Sequence, residues 1–193
     1  MARPPGLANF VNVSAAVAAA SSGDRAAWDR LVDRYTPLLW SVARSHRLSD
    51  SDAADVVQTT WLRLVEHLGR INDPERVGAW LATTARRESL RLVGASAART
   101  TPVAEFDDLV EASPGPQDQL LTQDRAAVLR RALAQLPESC RRLLRVLTAD
   151  PAPSYEDVSA ALDMPIGSIG PTRGRCLERL RHECEGLGIT DAG

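Results

Sequence analysis

The chain contains no lysine: all 23 of its basic residues are arginine. Arginine forks onto phosphates and guanine edges better than lysine does. Arginine and alanine richness also follows from a GC-rich genome, so the missing lysine assigns no function by itself. Aromatic residues are scarce, 4% against 44% apolar residues, which suits small helical domains. The three cysteines, Cys140, Cys176 and Cys184, have no C-x-x-C or other metal spacing, and His182 beside Cys184 does not make a zinc site. We read them as reduced, small apolar residues of a cytosolic protein. The longest apolar run near the N-terminus, Val13 to Ala20, is too short and too alanine-rich for a membrane span, so no membrane insertion is expected. P-loop, nucleophile–base and metal motifs are missing as well, and no cofactor is expected. One carboxylate–imidazole group, His46, Asp50, Asp52 and Asp55, offers an enzymatic reading. It straddles a turn and a helix cap, and capping accounts for Asp50 and Asp52 more simply. The chain is expected not to be an enzyme.

Opposite charges nearly balance, with a net charge of −2, so a polyanion partner would need arginines sorted onto particular faces. Residues 24–92 carry 11 arginines against 10 acids, and residues 124–185 carry 10 against 9. Between them lie one arginine and five acids: Glu105, Asp107, Asp108, Glu111 and Asp118. This pattern predicts a tail over 1–22 (disordered or only partly helical), a module over 23–94, an acidic linker over 95–124, a second module over 125–185 and a tail over 186–193.

The first module is periodic from its start. Trp28, Leu31, Val32, Tyr35, Leu38, Leu39 and Val42 keep one helical face through Pro37, a residue expected to kink or split the helix. Leu48 to Ser51 supplies a turn and a cap. Ala53, Val56, Val57, Thr60, Trp61, Leu64 and Leu68 then form an unbroken apolar stripe. Asp55, Gln58 and Leu62 share the opposite face, where an isolated leucine among polar residues reads either as ordinary exposure or as a patch for a partner helix. After a loop closed by Pro74, a helix from about Arg76 to Val93 turns Val77, Trp80, Leu81 and Thr84 inward. Its other side carries Arg76, Thr83, Arg86 and Arg87, a basic and hydroxyl-bearing face suited to phosphates and to a single strand.

In the second module Leu129, Leu133, Leu136, Leu143, Leu144 and Leu147 are expected to supply the core around a break at Pro137. Ser154 is a good cap for a helix bearing Tyr155, Val158, Ala161 and Leu162. Asp163, Met164, Pro165 and Gly167 end it. Ser168 is expected to cap the next helix, with Pro171 in its first turn and Ile169, Cys176, Leu177 and Leu180 on one face. That helix carries Arg173, Arg175, Arg179 and Arg181. Two short helices across a tight turn, the second rich in arginine, read as a helix-turn-helix. A plain helical hairpin with a solvated arginine face has the same pattern.

The runs D-A-A-D-V-V-Q-T-T-W-L-R-L and A-W-L-A-T-T-A-R-R, an acidic linker, L-P-E-S-C-R-R-L-L and the helix-turn-helix follow one another in this order. Together they resemble a bacterial RNA polymerase sigma factor of the compact, two-domain extracytoplasmic-function (group IV) type, over about residues 24–92 and 125–183. The resemblance implies an all-α fold, with two small helical domains joined by a flexible acidic linker. It implies that Asp55, Gln58 and Leu62 dock on the clamp of core RNA polymerase. By the same resemblance Asn72, Arg76, Trp80, Thr83, Arg86 and Arg87 melt and read the −10 element, and the last two helices read the −35 element with Ser168, Thr172, Arg173, Arg175 and Arg179. The implied partners are core RNA polymerase, promoter DNA and, as a candidate, an anti-sigma factor. The implied location is the cytoplasm.

The chain departs from that pattern in three places. Arg86-Arg87-Glu88-Ser89 stands where many relatives have Arg-Asn-Leu-Ala, Arg91 stands where an aspartate is usual, and Gly170-Pro171-Thr172 replaces a Lys-Ser-Arg-like run. On helical phase Arg173 points toward the apolar stripe, whereas Arg175 is free to enter a groove. The competing reading is an autonomous helix-turn-helix regulator with an N-terminal sensor or dimerisation module, which predicts tight operator binding without polymerase.

Overall fold

The computed structural model describes residues 12–97 and 118–188, and these residues are all-α, with no strand among them. Most of the acidic linker and the ends of both tails lie outside the described residues.

The helices that begin at Val13, Arg25, Asp50 and Tyr155 start where a side chain accepts from their orphan N–H groups, whereas those that begin at Glu138 and Ile166 follow Pro137 and Pro165 directly, with no side-chain cap. The Asn12 side chain accepts from Ala15 N at 3.0 Å to open α1 (Val13–Ser21). Asp24 accepts from Ala27 N at 3.1 Å to open α2 (Arg25–Ser45), and Ser49 accepts from Asp52 N at 3.1 Å to open α3 (Asp50–His67). Gly23 makes the α1–α2 turn at φ 92, a conformation that a side chain would oppose. Two 3-10 turns, Leu68–Arg70 and Pro74–Arg76, lead into α4 (Val77–Ala97). The second half consists of α5 (Asp118–Gln135), α6 (Glu138–Leu147), α7 (Tyr155–Leu162) and α8 (Ile166–Gly186). A capping box between Ser154 and Asp157 opens α7, and Asp163 ends it in the left-handed conformation at φ 57.

The apolar stripes meet as their periodicity requires. In α3, Ala53, Val56, Val57, Thr60 and Leu64 are buried, and Trp28 packs edge-on against Trp61 with ring centroids 5.6 Å apart. Leu133, Leu136, Leu143 and Leu144 are buried in the second half, with Leu129 and Leu147 packed at the margin. Helix α2 lies against α1, α3, α4 and α6, while α4 also packs on α7. The buried side chains of both halves therefore belong to one contiguous apolar cluster.

Several expectations need correction. Pro37 does not split its helix: α2 continues through it. Tyr35, Leu38, Leu39 and Val42, buried on both sides of the proline, hold the turns together despite one lost backbone bond. Ser168 is not a cap. Helix α8 starts earlier, at Ile166 after Pro165, and the Ser168 hydroxyl donates to the Pro165 carbonyl at 2.7 Å. Pro171 thus sits beyond the first turn, and Leu177 is exposed rather than part of the stripe. Cys140 and Cys176 are not free thiols but a disulfide between α6 and α8, whose Cα atoms lie 5.4 Å apart; Cys184 alone is a thiol. Spacing 36 residues apart in sequence hides this pairing, which only the helix–helix packing creates.

Candidate nucleic-acid interface

Three surfaces hold the residues singled out from the sequence. On α3, Asp55 and Gln58 are exposed and Leu62 is 57% exposed, all opposite the buried stripe. Val65, one turn further, is 59% exposed and extends Leu62 into an apolar pair at i, i+3. Sequence reading missed Val65, although its phase relative to buried Leu64 signals it. Between them Arg63 reaches across to Glu88 of α4 at 3.3 Å.

The second surface is the loop before α4 and the helix itself. Asn72 and Arg76 are exposed, Trp80 is half-buried with its ring 5.9 Å from that of His67, and Thr83 is half-buried. Thr84, expected to face inward, is half-buried like Thr83 and donates to the Trp80 carbonyl at 2.9 Å. Arg87 is exposed. Arg86 is not: it reaches Asp163 at the end of α7, Nη2 to Oδ2 at 2.7 Å. The expected basic face is therefore divided, with one of its arginines committed to a carboxylate 77 residues away. Two of the departures noted in the sequence explain each other here. Glu88 is buried and accepts from Arg91 Nε at 2.7 Å, so the acid and the base that replace an apolar residue and an aspartate form a pair.

The third surface is α8. Ser168 and Thr172 are half-buried, whereas Arg173, Arg175 and Arg179 are exposed. Arg175 Nη2 donates to Thr172 Oγ1 at 3.0 Å, a bond that holds the guanidinium along the outer face. Arg173 contradicts the expectation that it lies over the apolar stripe. The wheel places it only about 40° from Ile169, yet a guanidinium buried there without a partner would be costly, and it takes the solvent side of that edge. The helix phase around Ile169 and Cys176, both buried, is as read.

Where the two halves meet, the electrostatics are unusual. His46, at the end of α2, lies 3.3 Å from Arg142 Nη2 of α6. Burial, then Arg142, then Arg86 hold its pKa down at about 4. Burial also pushes the Asp157 carboxyl above its ordinary range, against the opposing bonds from Ser154. Arg47 pairs with Glu138 of α6 at 3.2 Å. The carboxylate–imidazole group of the enzymatic reading is dispersed: Asp50 pairs with Arg44 at 2.7 Å, Asp52 accepts from the Ser49 hydroxyl at 2.7 Å and Asp55 faces solvent. Among the described residues no three His, Cys, Asp or Glu side chains converge as metal ligands, and no helix is long and apolar enough to cross a membrane.

Comparison with known proteins bears on the same surfaces. Residues 31–100, which include α3 and α4, match the sigma-70 region 2 family. The ECF RNA polymerase sigma-E factor of Escherichia coli (strain K12) is 24% identical over 176 residues, 86% of this chain and 90% of that protein. RNA polymerase sigma factor CnrH of Cupriavidus metallidurans is 27% identical over 173 residues, 84% of this chain and 89% of its own length. The solved structure of CnrH in complex with the cytosolic domain of CnrY has a similar fold, with TM-score 0.57 at 24% identity over 90% of this chain and 97% of that chain. So does the sigma factor RpoE in complex with the anti-sigma factor NepR from Bartonella quintana, with TM-score 0.56 at 22% identity over 82% of this chain and 96% of that one.

Proposed function

We infer that the chain is an alternative sigma factor of the extracytoplasmic-function type, a subunit that binds core RNA polymerase and directs promoter-specific transcription initiation. One observation carries this reading: a match to sigma-70 region 2 and a helix-turn-helix stand in one chain, and proteins named as sigma factors match that chain over nearly their whole length. On this reading binding, not covalent chemistry, is what the chain contributes, and it works in the cytoplasm.

The exposed face of α3 (Asp55, Gln58 and Leu62, joined by Val65) is the polymerase-docking surface. An apolar pair ringed by polar side chains suits a partner helix. Asn72, Arg76, Trp80, Thr83, Arg86 and Arg87 serve the −10 element, where arginines hold the backbone and a half-buried tryptophan offers a stacking surface to an unpaired base. The outer face of α8 serves the −35 element through Thr172, Arg173, Arg175 and Arg179, and Ser168 lies at the start of that helix. Residues 23–94 and 125–185 are the two DNA-facing modules, with 95–124 as the acidic connection between them. Both solved neighbours were captured with a partner, CnrY or the anti-sigma factor NepR, and an anti-sigma factor is the corresponding partner class here.

The test is reconstitution with core RNA polymerase on a promoter library, scored for initiation. The reading requires transcripts that depend on the added chain and share −10 and −35 sequences. Tight, two-fold-symmetric operator binding by the chain alone, without initiation, would instead establish the autonomous regulator.

A further inference from the structure

Of the 21 residues of α8, only Ile169 and Cys176 are buried. Leu180, half-buried, packs at the margin of the core. Between the two anchors lie Gly170, Pro171 and Gly174, residue types that form helix least readily. A Cβ at Gly170 or Gly174 would meet no neighbouring atom, so close packing is not what places glycine there. Helix α8 is therefore weak by itself and keeps its form through few tertiary contacts. One of these is covalent: Cys176 is bonded to Cys140, in the first turn of α6, with the Cα atoms 5.4 Å apart. Both cysteines line an open cleft of about 880 Å³ between α6 and α8. Arg175, Arg179 and Arg181 outnumber Glu178 and Glu185 along its walls, a balance that draws an anionic reagent toward the bridge.

We propose that the Cys140–Cys176 bridge is an exchange site for a small thiol carrying carboxylates, and that its redox state decides whether α8 keeps the form that reads the −35 element. This rests on α8 being the −35 reader and on the cytoplasmic location inferred above. In that compartment thiol pools reduce disulfides, and those that form are mostly redox-sensing or catalytic. Cys140, 8% exposed against 1% for Cys176, presents the more accessible sulfur. The thiolate of the small thiol attacks Cys140 Sγ and forms a mixed disulfide. The Cys140–Cys176 bond breaks, and Cys176 leaves as a thiolate that takes a proton from water. A second small thiolate attacks the small thiol's sulfur in the mixed disulfide and frees Cys140, which is protonated in turn. Two small thiols are thereby oxidised to one small disulfide, while the protein disulfide is reduced to two thiols. The small disulfide drives the reverse steps and closes the bridge. In the reduced chain no bond spans the weak stretch after Ile169, so α8 loosens from Gly170 onward and Arg175 and Arg179 lose their fixed placement.

The test places the full chain in glutathione buffers poised from oxidised to reduced. Free thiols are counted by maleimide labelling and mass, amide hydrogen exchange follows α8, and initiation is scored with core RNA polymerase on a promoter carrying a −35 element. Reduction should raise the thiol count from Cys184 alone to all three cysteines. Exchange across α8 should quicken at least about tenfold while α5, α6 and α7 change less than about twofold, and initiation should fall at least about fivefold. Cys184→Ala should keep the whole response. The double variant Cys140→Ala, Cys176→Ala should show fast α8 exchange and weak initiation in every buffer, which separates the bridge from any effect of the buffers on polymerase. Added salt should slow reduction by anionic glutathione and leave reduction by neutral 2-mercaptoethanol unchanged. A bridge that stays closed in reduced glutathione, α8 exchange that ignores its opening, or α5 to α8 loosening together would overturn the proposal, and a salt-independent glutathione rate would remove the acidic thiol as its reagent. The two readings fail separately. Initiation that is indifferent to the bridge removes the redox control alone, whereas an α8 that responds in a chain that never initiates removes the sigma function alone.

Discussion

Leu62 and Val65 are each more than half exposed on a helix whose other face is fully packed. An arginine at 62 should therefore leave the fold alone, with a change in stability within about 0.5 kcal/mol. Loss of one buried apolar anchor at the interface, about 1.5–3 kcal/mol, should weaken binding to core polymerase by roughly tenfold or more. Titration of labelled polymerase beside a thermal melt checks both, and a Leu62→Arg protein that unfolds would place that face in the interior. On α8 the exposed pair Arg173 and Arg175 separates by role. Arg175 is held along the outer face by Thr172, and a fork onto guanine is worth about 1–3 kcal/mol of discrimination. Arg175→Ala should relax preference at one −35 position, while Arg173→Ala should lower affinity for all promoters alike without changing the melting temperature. Initiation from promoters randomised across the −35 element is the measurement, and a base preference altered only by Arg173→Ala would reverse the assignment. Helical phase alone made Leu62 legible. It misplaced Arg173, because phase states where a side chain starts and not whether its charge tolerates burial.

At the scale of elements, helix identity was readable from caps and stripes, and helix limits were less so. Ser154 caps as read, because it stands immediately before an apolar repeat, and the cap expected within Leu48 to Ser51 is Ser49. Ser168 misled because a proline and a glycine just ahead of it look like a break, whereas α8 begins directly after Pro165. Helix α1 falls in the segment read as a tail, and its low-contrast run of alanines gives little periodicity to detect. Its Ala16 and Val17 are nonetheless buried, and it packs on α2 and on both 3-10 turns that flank Asn72. Helix α1 is thus placed to brace the loop that enters the proposed −10 site. Val17→Ala, at a cost of about 1–2 kcal/mol of apolar burial, should slow promoter opening while leaving affinity for core polymerase unchanged. Opening followed by a fluorescent base in the −10 element, against polymerase binding measured separately, distinguishes this from general destabilisation.

For the whole molecule, the packing between the two halves could not be read from sequence, since each half shows a complete apolar repeat of its own. The pairs Arg86–Asp163, Arg47–Glu138 and His46–Arg142 all join residues more than 70 positions apart. His46 makes this packing sensitive to acid. Arg142 of α6 and Arg86 of α4 face it, Glu138 lies on α6 beside Arg47, and its pKa in the fold is about 4 instead of 6.5. The unfolded chain therefore takes up a proton first, and stability should be full above about pH 6.5 and fall as pH drops toward 4. His46→Gln should flatten that limb of a plot of melting temperature against pH, and an unchanged slope would exclude His46 as its source. The contact of α7 on α4 has a further consequence for timing. Because both helices belong to one chain, α7 competes for Arg86 at an effective concentration on the order of millimolar, whatever the amount of protein in the cell. Any other anion arriving at Arg86 meets a competitor that dilution cannot remove. A partner arriving at Leu62 and Val65 meets no such competitor, since that face of α3 stays exposed while α4 and α7 are joined. The two surfaces are thereby open on different terms, the α3 face at any time and the Arg86 end of α4 only after Asp163 lets go.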